Sequence, residues 1–600
     1  MRKLLLTVSF LLLKSLSAQT RVEEPVVHYT IRIDSSDFSG FRVEMRIQNA
    51  PDTLLLAFPR HPEYDEQFWK NIRDLTVESG GSIAPQVRED SALWRITVQG
   101  GLAIVRYRFE LRRQSSPTRR SWRIFLRETG GLIGGAQTFL YIVHHTNIPA
   151  YVSLAIPSGW DIATGLEPTA DPRTYFASSV DELVDSPILV GTLQTWSFVV
   201  DTVPHRVVYW PLPRATPFDT AAVVDCIKRI VRAAVTIFGR PPYRAYVFLL
   251  QDGAGDALEH LNSLTLGAPS AMLAQDPRSI NDQLAHEYFH TWNLVRIRPK
   301  EQTSVTYKPP TPTPALWWSE GVTLYYANIV LRRAGLLDSA AMRRHLADNI
   351  ASFYQNPGNA RISPEQASMR SIDPVTSDSG YTGSYYTQGM LFGQLLDIVI
   401  RDSTDMRRGL DDVMLEMFNK FPRATGFTSM GLEQTAAEVC GCDLHHFFND
   451  YIRGTRPLDI ESFLRNIGLH AVISRAPAVD STGHVLPDLR VFGFVPEDDR
   501  HVRLVIFSTP NAWWLGGLRT GDDILAINGR EIGSAGEFRD VLAQQTVGDT
   551  LVVDYLRAGQ RGHAMVPLTA YERVRVELHQ LPELTTRQHE MLVRWTAGSL

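Results

Sequence analysis

The stretch NDQLAHEYFHTWNLVRIRP, Asn281 to Pro299, sets a condition the rest of the chain must meet. Leu284, Ala285, Tyr288, Phe289 and Trp292 recur at three- and four-residue spacing, the pattern of a helix buried along one side. Ser279 followed by Asp282 forms a capping-box pattern at its start. Yet the same run holds His286, Glu287 and His290. Imidazoles and a carboxylate are unfavourable in apolar surroundings unless something pairs with them. The i, i+4 spacing puts both imidazoles on one helix face, where two nitrogens can meet one tetrahedral Zn²⁺. Glu287, beside the first histidine, can then act as general base toward a water. Two core histidines with ordinary hydrogen bonds remain the alternative at this point.

A catalytic zinc site needs a third protein ligand and an open position. Glu320 in LWWSEGVTLYY is the candidate, a carboxylate on another apolar helix. Gly321 beside it allows close approach of a neighbouring element.

The 600-residue length suggests about four domains. Net charge is −5 with no long basic run, so nothing points to nucleic acid. The chain opens with Arg2 and Lys3, an apolar ten-residue stretch, LLLTVSFLLL, and small residues around Ser17 and Ala18. This reads as a signal peptide of residues 1–18 and implies a secreted or periplasmic protein. No later apolar run is long enough to span a bilayer. The three cysteines, Cys226, Cys440 and Cys442, read as packing residues, with the last two too close for an easy disulfide.

Alternating segments such as HYTIRI, FRVEMRI and AIVRYRFEL predict an N-terminal β-sandwich over residues 19–205. TAAVVDCIKRIVRAAVTIFG then has helical period and YRAYVFLL reads as a buried strand, opening a catalytic domain assigned to 206–335. A helical domain follows over 336–472. GGLRTGDDILAINGREI marks a turn-rich β domain over 473–575, leaving 576–600 as a tail.

HEYFHTWNLVRIRP and LWWSEGVTLYY resemble the glycyl aminopeptidase family of zinc metallopeptidases, relatives of the thermolysin-like gluzincins. DALEHLNS, SYYTQGMLFGQLLDIVIRD and FFNDYIRGTRPLDIESFLRNIGL are similar to further segments of that family, in the family's order. The last β segment resembles a PDZ domain. The resemblance covers roughly residues 205–575, with a mainly architectural likeness before that. The implied fold is multidomain α+β: a β-sandwich, a thermolysin-like catalytic domain with a helical lobe, and a C-terminal PDZ domain.

The resemblance also implies roles. His286, His290 and Glu320 bind Zn²⁺ and Glu287 is the catalytic base. Glu259, in a loop after a buried strand, holds the substrate's free α-amine. Tyr386 stabilises the oxyanion, with Tyr385 and Tyr381 as rivals. Phe492, Gly493 and Phe494 form the PDZ loop that captures a peptide or protein C-terminus. Two positions depart from the family, which usually has lysine where Val295 and Gln388 stand. The resulting expectation is a zinc aminopeptidase that removes small N-terminal residues from peptides. A zinc endopeptidase and an inactive PDZ peptide-binding protein are the alternatives. Because no expected catalytic residue lies beyond about 470, a chain ending near Arg475 should keep the catalytic fold.

Overall fold

A computed structural model describes residues 23–60, 67–111, 119–371, 383–495, 500–506 and 511–598. The expected signal peptide and Tyr381 lie outside the described residues.

The N-terminal domain is built on an eight-stranded sheet. Its centre is β1 (Val26–Asp34), antiparallel to β2 (Asp37–Gln48), which pairs in turn with β3 (Leu102–Glu110). β1 also runs parallel to β4 (Ala150–Ala155). Alternate residues Val27, Tyr29, Ile31 and Val43, Met45, Ile47 face inward. They share one apolar core with two four-stranded sheets, giving the layered β domain that the alternation predicts. α1 (Val180–Asp185) closes the domain, capped by the Ser179 side chain.

Catalytic and helical regions share a second, larger core. A five-stranded sheet begins with β5 (Gln194–Val200) and β6 (Val203–Trp210). Their hairpin turns through Asp201 and Thr202, both at positive φ (47° and 68°), as a two-residue turn matched to strand twist requires. The expected domain boundary at 205 therefore falls inside this sheet, because β6 continues into the catalytic layer by pairing in parallel with β7 (Tyr246–Gln251). β8 (Ala257–Glu259) forms the far edge, antiparallel to β9 (Ser263–Gly267). α2 (Thr220–Phe238) packs on the sheet and ends at Gly239.

The HExxH run is α3 (Asn281–Phe289). No side-chain cap starts it; Ile280 occupies the N-cap, so the expected Ser279–Asp282 box does not form. Its apolar stripe is held by stacked rings: Trp292 on Phe238 of α2, and Phe289 on Tyr326 of α4 (Thr323–Arg333), with centroids 4.5 and 4.3 Å apart. The helical lobe adds α5 (Ser339–Gln355) and α6 (Tyr385–Ser403). Cys440 and Cys442 are joined by a disulfide, contrary to the expectation of two packing thiols. The helix ends at Cys440, and Gly441 at φ 61° turns the chain back so that the two sulfurs meet.

The C-terminal region departs furthest from expectation. β10 (Leu469–Pro477) and β12 (Glu572–Gln580) pair antiparallel along their whole length, from Leu469 opposite Gln580 to Pro477 opposite Glu572. Between them sits the PDZ-like unit, with its own core. That unit includes β11 (Val491–Phe494) at a sheet edge, beside α7 (Ala535–Leu542). After β12 the chain returns to the catalytic body as α8 (Thr586–Ala597), burying Met591, Leu592 and Trp595 in its core. The expected tail is thus a structural helix, and the PDZ-like unit is an insertion on a two-stranded ribbon. Met591, Leu592 and Trp595 lie at helical spacing, so one face of α8 is apolar and has to be covered.

Candidate metal centre and active site

α3 carries its two histidines on the face turned toward Glu320. His290 lies at the helix C-cap with helical dihedrals, so the i, i+4 relation is kept. The Nε2 atoms of His286 and His290 are 3.0 Å apart. Glu320 Oε2 lies 3.5 Å from the first and 3.4 Å from the second. Ligands held about 2.0–2.2 Å from a tetrahedral metal stand about 3.3–3.6 Å from one another. Three donors of the right chemistry thus converge, with both Glu320 distances inside that range and the imidazole pair slightly closer at 3.0 Å, which is the test of whether these residues fit a metal.

Electrostatics supports the same reading. Burial, and then the neighbouring His290, lower the pKa of His286. His290 is opposed by burial, but the Glu320 and Glu259 carboxylates prevail and raise it to about 10. Glu320 is disfavoured by burial, yet the two imidazoles hold its pKa far below the usual carboxylate range. Glu320 is thereby held ionised against the imidazoles, so the three side chains titrate as one interacting set. His290 Nδ1 lies 2.9 Å from the main-chain oxygen of Asn293, a contact that puts the ring proton there and leaves Nε2 for a metal.

Glu320 sits on a π-helical turn, Trp317–Val322, a widened turn often found at functional sites. The expectation for Gly321 holds in a specific form. A Cβ there would lie 2.6 Å from Tyr385 O, and one on Gly389 would lie 1.9 Å from Trp317 O. Only glycine at both positions lets α6 press against the turn that bears Glu320.

Glu287 is buried next to this cluster. Its carboxylate, that of Glu259 and the His290 ring each place an atom within 4.8 Å of the others. Glu259 is on the short edge strand β8 rather than in a loop, because pairing with Leu264 extends the sheet to it. The N-terminal domain buttresses the turn that follows this strand: Leu261 N donates to Asp185 Oδ2 of α1 at 2.5 Å. Asp181 of the same helix is gripped by Arg298 at 3.2 Å and Arg423 at 2.7 Å.

Tyr386 is on the first turn of α6, partly exposed, with its ring 4.6 Å from that of Tyr385, which packs against the core. Gln388 is buried and donates to the main-chain oxygens of Asn359 (3.0 Å) and Ile362 (2.5 Å), so it braces a loop. Val295 is buried as well. Phe492, Gly493 and Phe494 lie in β11, not in a loop. Their exposed–buried–exposed alternation is that of a strand, and the three pair with Val505, Leu504 and Arg503. Asn293 escaped the sequence reading; its only signal there was a polar residue in an otherwise apolar run.

Comparison with known proteins shows what the chain is similar to. The family model described as M61 glycyl aminopeptidase matches residues 280–392, and that of the peptidase M61 N-terminal domain matches 28–192. The chain thus resembles the M61 glycyl aminopeptidase family in both its catalytic and its N-terminal regions. It is a metallopeptidase of aminopeptidase type, and a PDZ domain model matches residues 492–568. Among solved structures, an aminopeptidase N family protein from Idiomarina loihiensis is similar over 95% of this chain and 100% of its own, at 21% identity and TM-score 0.74, which establishes a shared fold. An M1 zinc metallopeptidase from Deinococcus radiodurans aligns with 73% of this chain and 94% of its own, at 17% identity and TM-score 0.47. None of the curated proteins compared matches the chain. Among the described residues, no helix is long and apolar enough to cross a membrane.

Proposed function

We propose that the protein is a zinc aminopeptidase that hydrolyses the first peptide bond of substrates with a free α-amine, with a preference for small first residues. The observation that carries this is the convergence of His286, His290 and Glu320, with Glu287 and Glu259 beside them. His286, His290 and Glu320 would hold the metal. When bound, zinc would act as a Lewis acid on the scissile carbonyl and make a water easier to deprotonate. Glu287 takes a proton from the attacking water and delivers it to the departing amine. Glu259 pairs with the substrate ammonium and so fixes which bond is presented. Tyr386 donates to the developing oxyanion. Burial of Glu287 and the bracing by α1 of the turn after β8 hold these groups without large rearrangement.

The N-terminal sequence and the Cys440–Cys442 bridge support export to an oxidising compartment, secreted or periplasmic. At the PDZ domain, the exposed edge strand β11 beside α7 supports docking of a peptide segment by strand addition.

Matched free and N-acetylated peptides test the reading on wild type, Glu287→Gln and Glu259→Ala. Wild type should prefer the free peptide by about 10–100-fold, as expected for losing a hydrogen bond to a charged group. Glu287→Gln should retain metal and lose about 10²–10⁴-fold in turnover. Equal cleavage of both peptides would replace the aminopeptidase with an endopeptidase. An active Glu287→Gln would remove Glu287 as base.

A further inference from the structure

Asn293 is fully buried three residues beyond His290. Its side-chain Nδ2 lies 2.9 Å from Trp318 O, 3.0 Å from Thr323 Oγ1 and 3.3 Å from Ser319 O. The Thr323 hydroxyl already donates to Ser319 O at 2.7 Å, so it faces Asn293 as an acceptor. All three atoms accept, and only the NH₂ half of the amide suits them. They flank Glu320 in sequence on both sides. The main-chain oxygen of the same asparagine accepts from His290 Nδ1. Leu294, the next residue, has φ of 91°, a conformation that persists only where the surroundings enforce it.

We propose that Asn293 is a positioning residue for the metal centre. Its main chain sets the tautomer of His290, and its side chain sets the placement of the turn that carries Glu320. One residue thus ties together the two separately folded elements that supply the ligands. The proposal rests on the metal-site reading above. It singles out the donor character of the side chain rather than its volume. Asn293→Asp keeps the shape but turns oxygen toward three acceptors. Asn293→Ala removes the tie. Thr323→Val removes one of the three acceptors and leaves the asparagine in place.

Zinc affinity is measured by competition with a chromophoric chelator, and the visible spectrum is recorded with Co²⁺ in place of zinc. The set comprises wild type, Asn293→Asp, Asn293→Ala, Thr323→Val and Leu395→Ala, the last a core truncation in α6. Both Asn293 variants should bind zinc about 10–100-fold more weakly, with an altered Co²⁺ spectrum, as loss of an outer-shell partner does. Thr323→Val should show a smaller loss. Leu395→Ala should lower the thermal midpoint and change neither readout. Wild type that fails to hold one metal per chain overturns the metal-site reading and the proposal with it. Wild type that binds, with both Asn293 variants within about threefold of it and spectra unchanged, overturns the positioning role alone. If Asn293→Asp does not fold, Asn293→Ala and Thr323→Val decide on the same criteria.

Discussion

Ending the chain at Arg475 and excising the PDZ unit remove nearly the same domain, but the fold makes them different perturbations. Ending at Arg475 deletes β12 and α8. Deleting residues 478–571 and closing the ribbon with an Asn-Gly turn keeps both. α8 buries Met591, Leu592 and Trp595 in the catalytic core. Burial of such side chains is worth about 1.5–3 kcal/mol each, so losing all three removes on the order of 5–9 kcal/mol. That is comparable to the whole stability of a typical domain, about 5–15 kcal/mol. Hydrogen bonds are lost as well, including Arg332 Nε to Thr596 O at 2.9 Å and Gln588 Nε2 to Arg465 O at 2.8 Å. Thermal melts and limited proteolysis of both shortened proteins provide the comparison. The excised form should melt with the wild-type catalytic transition and retain short-peptide cleavage. The truncated form should be unfolded or proteolysed at once. Trp595→Ala in the full chain should lower stability by about 3–5 kcal/mol. A truncated protein as stable as the excised one would refute the assignment of α8 to the catalytic core.

Gly389→Ala places a methyl group 1.9 Å from Trp317 O, so α6 must retreat from the Glu320 turn; a stability loss of about 1–3 kcal/mol should accompany weaker metal binding, read by calorimetric melting and chelator competition. His205 is buried with its ring between Val203 O and the Tyr243 hydroxyl, and burial lowers its pKa to about 4. With the folded value depressed, the unfolded chain takes the proton first, so stability falls as pH drops below ~6.5 and the loss levels off below about 4. Urea midpoints at pH 7.5 and pH 5 should differ less in His205→Gln than in wild type, and an equal difference would exclude His205 as a source of acid sensitivity.

What could be read from the sequence divides along a physical line. His286, Glu287 and His290 were legible because their relation is set by 3.6-residue periodicity, which any helix supplies. Glu320 was legible because a lone carboxylate among Trp317, Trp318 and Tyr325 has few explanations other than a partner. Glu259 required the resemblance: nothing local says that β8 ends beside His290, since that depends on the sheet edge and on Asp185 from another domain. The domain limits at 205 and 576 were misplaced for a similar reason. A strand pattern does not reveal which sheet it joins, and the apolar face of α8 does not name the core that covers it.

The same distinction explains why Asn293 went unread. In sequence it is one polar residue after an apolar helix, and such residues commonly end helices. Its role appears only when the Trp317–Val322 turn is laid against the end of α3, where two carbonyls and a hydroxyl, all acceptors, surround the amide. Two histidines on α3 and a glutamate on another element form a ligand set only if their relative position is held to a few tenths of an ångström. Helical periodicity can fix the first pair, but it cannot fix the third member. That task falls to the Gly321–Gly389 contact on one side and to Asn293 on the other. Three of the atoms involved, the carbonyl oxygens of Trp317, Trp318 and Ser319, are main-chain atoms, and the Thr323 hydroxyl is the one side-chain acceptor among them. The parts of this site most easily read from the sequence are therefore those that perform the chemistry, and the parts hidden from it are those that hold the chemistry in register.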